Sequence, residues 1–370
     1  MVRTGAERLV EEPGLAGAGR LGLITNFTGV LRDLRPTPPA FLTAGLRLTA
    51  LFGPEHGLNG TAQAGESESA TSDPATGLPV FDTYRRQGAA LDALIEESDV
   101  DALLFDIQDV GARFYTYIWT MYDCLQTAVR TGRRFIVLDR PNPLGGTAEG
   151  PLLQPGFESF VGRAPIPLRH GLTVGELARH FAPETVEVIP MTGWTRDLDG
   201  WTRDLAWVPP SPNMPTPDTA LVYPGMGLFE GTNLSEGRGT TRPFETIGAP
   251  FLDSRLVPAL REQELPGVAF RSTSFQPVFS KYAGQVLSGV QLHVIDRQAF
   301  EPVRTALTIL KTLRDLYPDE LAFRPELDRL WGSDSLRKAL IAGDDPLQLL
   351  TDPGQWFDPD ILLYEGGVTA

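Results

Sequence analysis

Asp101-Ala-Leu-Leu-Phe-Asp-Ile-Gln-Asp-Val-Gly-Ala-Arg113 is an apolar run that breaks abruptly into acids, an amide and an arginine. A short, nearly continuous apolar stretch reads as a strand buried on both faces, the mark of a parallel sheet. Runs at 20–26, 46–52 and 134–139 resemble it, and three of the four are nearly continuous. Helical spacing lies between them. Leu91, Leu94 and Ile95 recur at that period, as do Ile118, Met121, Tyr122, Leu125 and Val129, which stop near Gly132. Alternating strands and helices imply parallel pairing through right-handed crossovers. The expected fold class is α/β, a Rossmann-like parallel sheet followed by a smaller C-terminal α/β (α+β) domain.

Downstream, Thr173 and Glu176 form a capping-box signature for a helix over 172–181, and 186–190 reads as a further strand. Residues 209–250 are rich in Pro and Gly and show little periodicity. They are too apolar for disorder, so ordered loops lining a cleft are expected. Beyond 251 the pattern predicts strands at 267–271 and 289–295, a long amphipathic helix at 300–317 and a short one at 335–342. The domains are therefore expected at 1–250, cleft loops included, and 251–370.

The chain has 370 residues, 42% hydrophobic and 21% charged, with 38 Gly and 32 Pro. That length buries a sizeable core without disulfide or metal staples. The composition excludes a disordered chain, a coiled coil and a collagen. A net charge of −15 argues against nucleic-acid partners and anionic membrane surfaces. Cys124, the single cysteine, excludes a disulfide framework and reads as a small buried hydrophobe. No export signal or membrane span is visible, and a cytoplasmic location is expected for the chain as given. Crowded Pro/Gly loops are compatible with an oligomer but do not show one.

In an open parallel sheet, ligands bind beyond the carboxyl ends of the strands. Asn26 follows the first early strand, Glu55-His56-Gly57 the second, Asp106-Ile-Gln108-Asp109 with Arg113 the third, and Asp139-Arg140-Pro-Asn142 the fourth. Four such clusters in register predict a site. No G-x-G-x-x-G follows the first strand and no phosphate-loop motif occurs, so no nucleotide cofactor is expected. No zinc spacing links His56, His170, His180 and His293, and no G-x-S-x-G elbow is present. Carboxylates, arginines and aromatics remain, a set suited to glycosidic bond cleavage. Glu55, in a half-buried turn, is the candidate general acid, with His56 to orient it. Asp106 and Asp109 are further catalytic candidates. Arg113, Tyr115 and Tyr117 offer a cation and two phenols at a helix start.

Several segments point further: Phe52-Gly-Pro-Glu-His-Gly57, Phe105–Tyr117, Leu138–Gly146, Glu149-Gly-Pro151, Pro210–Thr216, Tyr223-Pro-Gly, Phe229–Asn233 and Gly237–Glu245. In this order they resemble the exo-β-N-acetylmuramidases of peptidoglycan turnover, over nearly the whole chain. The resemblance implies a Rossmann-like catalytic domain, a smaller C-terminal domain, and removal of terminal N-acetylmuramic acid from the non-reducing end of peptidoglycan fragments. It maps the leading catalytic candidate of the family onto Glu55. Many relatives carry an export signal or lipid anchor, and this chain shows neither.

N-acetylmuramic acid carries a lactyl carboxylate, for which a bidentate arginine is the natural partner. Arg113, Arg140 and Arg238 are the candidates. Asn26, Asn142, Asn213 and Asn233 are candidates for polar contacts to the sugar, and Tyr115, Tyr117 and Phe229 for stacking. The second carboxylate would come from Asp106, Asp109, Glu149, Glu230 or Glu236. No metal and no cofactor is expected. The substrate would be a peptidoglycan-derived disaccharide or muropeptide. Two rivals are a non-catalytic muropeptide-binding protein and a metal-dependent hydrolase using Glu55, His56 and Asp106.

Overall fold

The computed structural model describes residues 1–63, 65–68, 71–196 and 205–369. Six strands form the larger sheet: β1 (Leu21–Thr25), β2 (Leu48–Gly53), β3 (Val80–Asp82), β4 (Ala102–Asp106), β5 (Arg134–Leu138) and β6 (Val186–Ile189). Their order is β3-β2-β1-β4-β5-β6 and every pairing is parallel. This is the doubly wound order, with its switch point between β1 and β4. Strand β3 escapes the sequence pattern because it is three half-buried residues long.

Five helices flank the sheet: α1 (Gly5–Glu11), α2 (Thr37–Thr43), α3 (Ala89–Glu97), α4 (Tyr117–Thr131) and α5 (Val174–Phe181). Alternate strand residues serve opposite faces. Leu23, Leu51, Leu104 and Ile136 pack with α1 and α2, whereas Ile24, Phe52, Phe105 and Val137 pack with α3, α4 and α5. Thr173 and Glu176 form the expected capping box at α5, and Gly132 ends α4 in the left-handed conformation.

The segment 209–250 is not all loop. It holds α6 (Pro217–Met226), capped by Thr216 and buried at every position from Thr219 onward. A helix covered on all sides has no polar stripe and hence no amphipathic period. It lies against the helix Pro302–Leu316 so closely that a Cβ on Gly225 would stand 1.9 Å from the Pro302 carbonyl oxygen. The remaining elements are β7 (Thr246–Ala249), α7 (Leu256–Arg261), β8 (Val268–Phe275), β9 (Leu287–Val294), α8 (Pro302–Leu316), α9 (Glu326–Trp331) and α10 (Ser335–Ala342). The three strands form an antiparallel sheet in the order β7-β9-β8. Among the described residues, no helix is long and apolar enough to cross a membrane.

The last residues return to the first sheet. The Leu363 amide donates to Glu176, Arg196 donates to the Gly366 carbonyl, and the Ala148 and Thr369 backbones pair. Tyr364 donates its hydroxyl to the fully buried Asp139 at the end of β5 and accepts from the Met191 amide at 2.9 Å. Tyr364→Phe should therefore leave a buried acceptor and a buried donor short of a partner. We expect a loss of about 1–3 kcal/mol in urea unfolding, with faster amide exchange across 361–369.

Candidate active site

Glu55 follows β2 in a tight turn. His56 and Gly57 both take left-handed backbone, φ 70° and 78°. A side chain at Gly57 would collide with Glu68. Glu68 organises the loop that follows, accepting from the Asn59 and Thr61 amides and side chains. Burial works against its charge, but these four bonds outweigh that and lower its pKa. His56 Nδ1 lies 2.9 Å from the Ala62 carbonyl oxygen, which places a proton on that nitrogen.

The buried Glu55 carboxylate accepts from the Gly65 amide at 2.7 Å and from the Thr116 hydroxyl at 2.5 Å. Thr116 is the N-cap of α4, yet its side chain makes no capping bond. Its hydroxyl serves Glu55 instead of its own helix.

Glu55 and His56 open onto a cleft shared with Thr116, Tyr115, Tyr117, Ser211, Tyr223, Glu230, Arg238 and Phe244. The phenols form an edge-to-face chain, Tyr117 to Tyr115 at 5.0 Å, Tyr115 to Tyr223 at 5.9 Å and Tyr223 to Phe244 at 4.7 Å. Burial raises the pKa of all three tyrosines. The Glu55 charge adds to this at Tyr117, and the Glu230 charge at Tyr223. They remain protonated donors.

The opposite wall comes from the second half of the chain. Arg238 donates to Glu230 at 2.7 Å, approaches Glu236 at 3.5 Å and lies over the Phe244 ring at 5.0 Å. Burial opposes its charge, but Glu230, Tyr223 and Glu236 outweigh that and raise its pKa. Lys281 bonds Glu236 at 2.9 Å and the carbonyls of Phe229, Glu230 and Leu234.

Two family models cover the chain. The N-terminal model of the exo-β-N-acetylmuramidase NamZ matches residues 21–218, and its C-terminal model matches 221–353. The peptidoglycan β-N-acetylmuramidase NamZ of Bacillus subtilis is 47% identical over 92% of this chain and 85% of its own length. The chain belongs to the NamZ family. Two crystal structures of DUF1343 family proteins from Bacteroides fragilis share its fold. One has a TM-score of 0.86 at 33% identity over 94% of both chains. The other has a TM-score of 0.76 at 26% identity, over 99% of this chain and all of that one.

Of the residues expected at the site of this NamZ-family chain, the structure brings Glu55, His56, Tyr115, Tyr117, Glu230 and Arg238 to one cleft, with Glu236 behind Arg238. Asn26 stands behind Tyr117, its carbonyl accepting from Thr28 and its amide nitrogen unpartnered. The other candidates lie outside the cleft. Asp106 is fully buried against Arg140 at 2.7 Å and Thr37 at 2.8 Å, at the switch point of the sheet. Asp106 is thus not grouped with Glu55 and His56. Asp109 accepts from the Gly111 amide and His170. Arg113 spends its guanidinium on the carbonyls of Pro151, Ile166, Leu330 and Trp331. Asn142 bonds Leu172 and Leu144, and Asn233 bonds Glu320 and Ala322. Glu149 accepts from the Val303 and Arg304 amides at the start of α8. Asn213 is buried away from the cleft lining, and Phe229 is fully buried, so its ring is not offered to a sugar. Among the described residues no group of three or more His, Cys, Asp or Glu is placed to hold a metal ion.

Sequence reasoning missed Thr116, Ser211 and Tyr223. All three fall inside quoted segments, but a hydroxyl there carries no signal of its own. Burial without a counter-ion pulls Arg113 down to about 9, a mark of a structural cation. Arg113→Met should strand four carbonyls and lower stability by about 3–5 kcal/mol, read as a fall in thermal midpoint.

Proposed function

We propose that this chain is an exo-β-N-acetylmuramidase that hydrolyses the β-glycosidic bond of a terminal N-acetylmuramic acid residue in peptidoglycan fragments. The observation that carries the reading is Glu55, held by Thr116 and Gly65 in an aromatic-lined cleft that it shares with Glu230. Membership of the NamZ family supports the same substrate.

Glu55 is assigned the proton delivered to the leaving glycosidic oxygen. Thr116 suits that role in both protonation states. Its hydroxyl donates to the carboxylate, and by rotation it accepts from the carboxylic acid. Glu230 is assigned the second carboxylate, as nucleophile or as base toward water. Arg238 keeps it oriented, and Lys281 fixes the turn that carries it. The bond from C1 to the bridging oxygen breaks, the leaving oxygen takes the proton of Glu55, and water supplies the hydroxyl at C1. The buried phenols of Tyr115 and Tyr223 offer O–H donors in the cleft where charge shifts, while Tyr117 donates its hydroxyl to the Pro210 carbonyl at 2.7 Å.

Hydrolysis of a chromogenic β-N-acetylmuramide, beside the matching β-N-acetylglucosaminide, tests this. We expect release from the muramide. Binding of both without turnover would overturn the hydrolase in favour of a sensor. Glu55→Gln should retain the wild-type melting temperature while kcat falls by about 10²–10⁴. Turnover near wild type would remove Glu55 from its role.

A further inference from the structure

The arginines expected to meet the lactyl carboxylate have no charge to spare. Arg238 is bonded to Glu230 with Glu236 beside it, Arg140 to Asp106, and Arg113 to four carbonyls. Lys281 is held by Glu236, and Arg163 by Asp123 at 3.0 Å. A substrate that differs from its glucosamine counterpart by one carboxylate still needs a cation that reads it.

Strand β3 supplies one. Its carboxyl end turns at Asp82, which accepts from the Tyr84 amide at 2.9 Å and from the Ser67 hydroxyl at 2.7 Å. The turn is thereby tied to the loop that holds Glu55. Tyr84 packs edge-on against Phe160 at 5.3 Å, and the next residue, Val161, lines the cleft. The Tyr84 hydroxyl is buried and has no hydrogen-bond partner. It lies 3.9 Å from where a Cβ on Gly65 would stand, and the Gly65 amide is the one that bonds Glu55. Burial, and then the Glu55 charge, raise this phenol, so it remains a donor.

Arg85 lies over the same ring, with Cζ 5.0 Å from its centroid. It is exposed, and among the described residues it has no carboxylate partner. Its backbone is left-handed at φ 55°, uncommon for a residue that is not Gly, Asn or Asp. Such outliers persist where surrounding structure imposes them, and they gather at ligand clamps. Stacking on an aromatic face restrains a guanidinium while leaving its donor fork free.

We propose that Arg85, carried on Tyr84, is the specificity residue that binds the lactyl carboxylate of the terminal sugar. This rests on the muramidase reading above. The planar fork matches a carboxylate in bidentate geometry, and a sugar without the lactyl group leaves that fork unused. Selectivity would then sit on the edge strand, apart from the Glu55 and Glu230 pair.

The test compares a chromogenic β-N-acetylmuramide with its lactyl methyl ester on wild type, Arg85→Asn and Arg85→Lys. Asn tolerates the left-handed backbone, so the variant should melt as wild type does. Wild type should prefer the acid. In Arg85→Asn the KM for the acid should rise about 10- to 100-fold with kcat little changed, and the ester should be unaffected. Arg85→Lys should recover part of the preference. If Arg85→Asn keeps the acid-over-ester preference of wild type, the assignment fails while the muramidase reading stands. If wild type cleaves neither glycoside, the muramidase reading fails and the assignment falls with it.

Discussion

Every strand of the larger sheet runs the same way, so every carboxyl end reaches the same rim. Backbone groups leave the ladder there and take polar partners from the loops. The β2 end brings Glu55, the β3 end Tyr84, and the β4 end Tyr115, Thr116 and Tyr117. The far side of the cleft comes from the second half of the chain. That wall is the segment after α6, which carries Glu230 and Arg238. The two halves are joined by a cation buried without an anion. Arg113 holds two carbonyls from the loops after β5 and two from the end of α9.

The chain is acidic, with a net charge of −15, yet the proposed substrate is an anion. Bulk charge is therefore the wrong scale for its recognition. Local pairing decides it. Around the cleft most cations are neutralised within a few ångströms, and the network of Glu230, Arg238, Glu236 and Lys281 is close to balanced. Such a network orients carboxylates for chemistry but attracts an anion weakly. A stacked arginine at the edge offers what the balanced interior does not.

The sheet was legible because apolar runs at 20–26, 46–52, 101–106 and 134–139 admit few alternatives. Strand β3 was not, since three half-buried residues make no pattern, and Tyr84 and Arg85 were lost with it. Helix α6 was hidden by its complete burial. Within the site, Glu55, His56, Tyr115 and Tyr117 could be read from their place at strand ends. Asp106, Asp109, Arg113 and Arg140 hold similar places and turn out to bind one another or the backbone. Residue type and strand-end position do not separate the two cases, because the deciding partner is remote. The Trp331 carbonyl that takes up Arg113 lies 218 residues away.

Thr116 illustrates a division of interests within one side chain. As the N-cap of α4 it could bond that helix's own free amides, a contact generally worth about 1 kcal/mol. It bonds Glu55 instead. Local stability is given up for the orientation of one carboxylate. Natural sequences tolerate such concessions because selection acts on turnover once folding is secure. A population evolved for heat resistance alone would drift away from this pair early. Its most stable members would then be those in which α4 had reclaimed its cap.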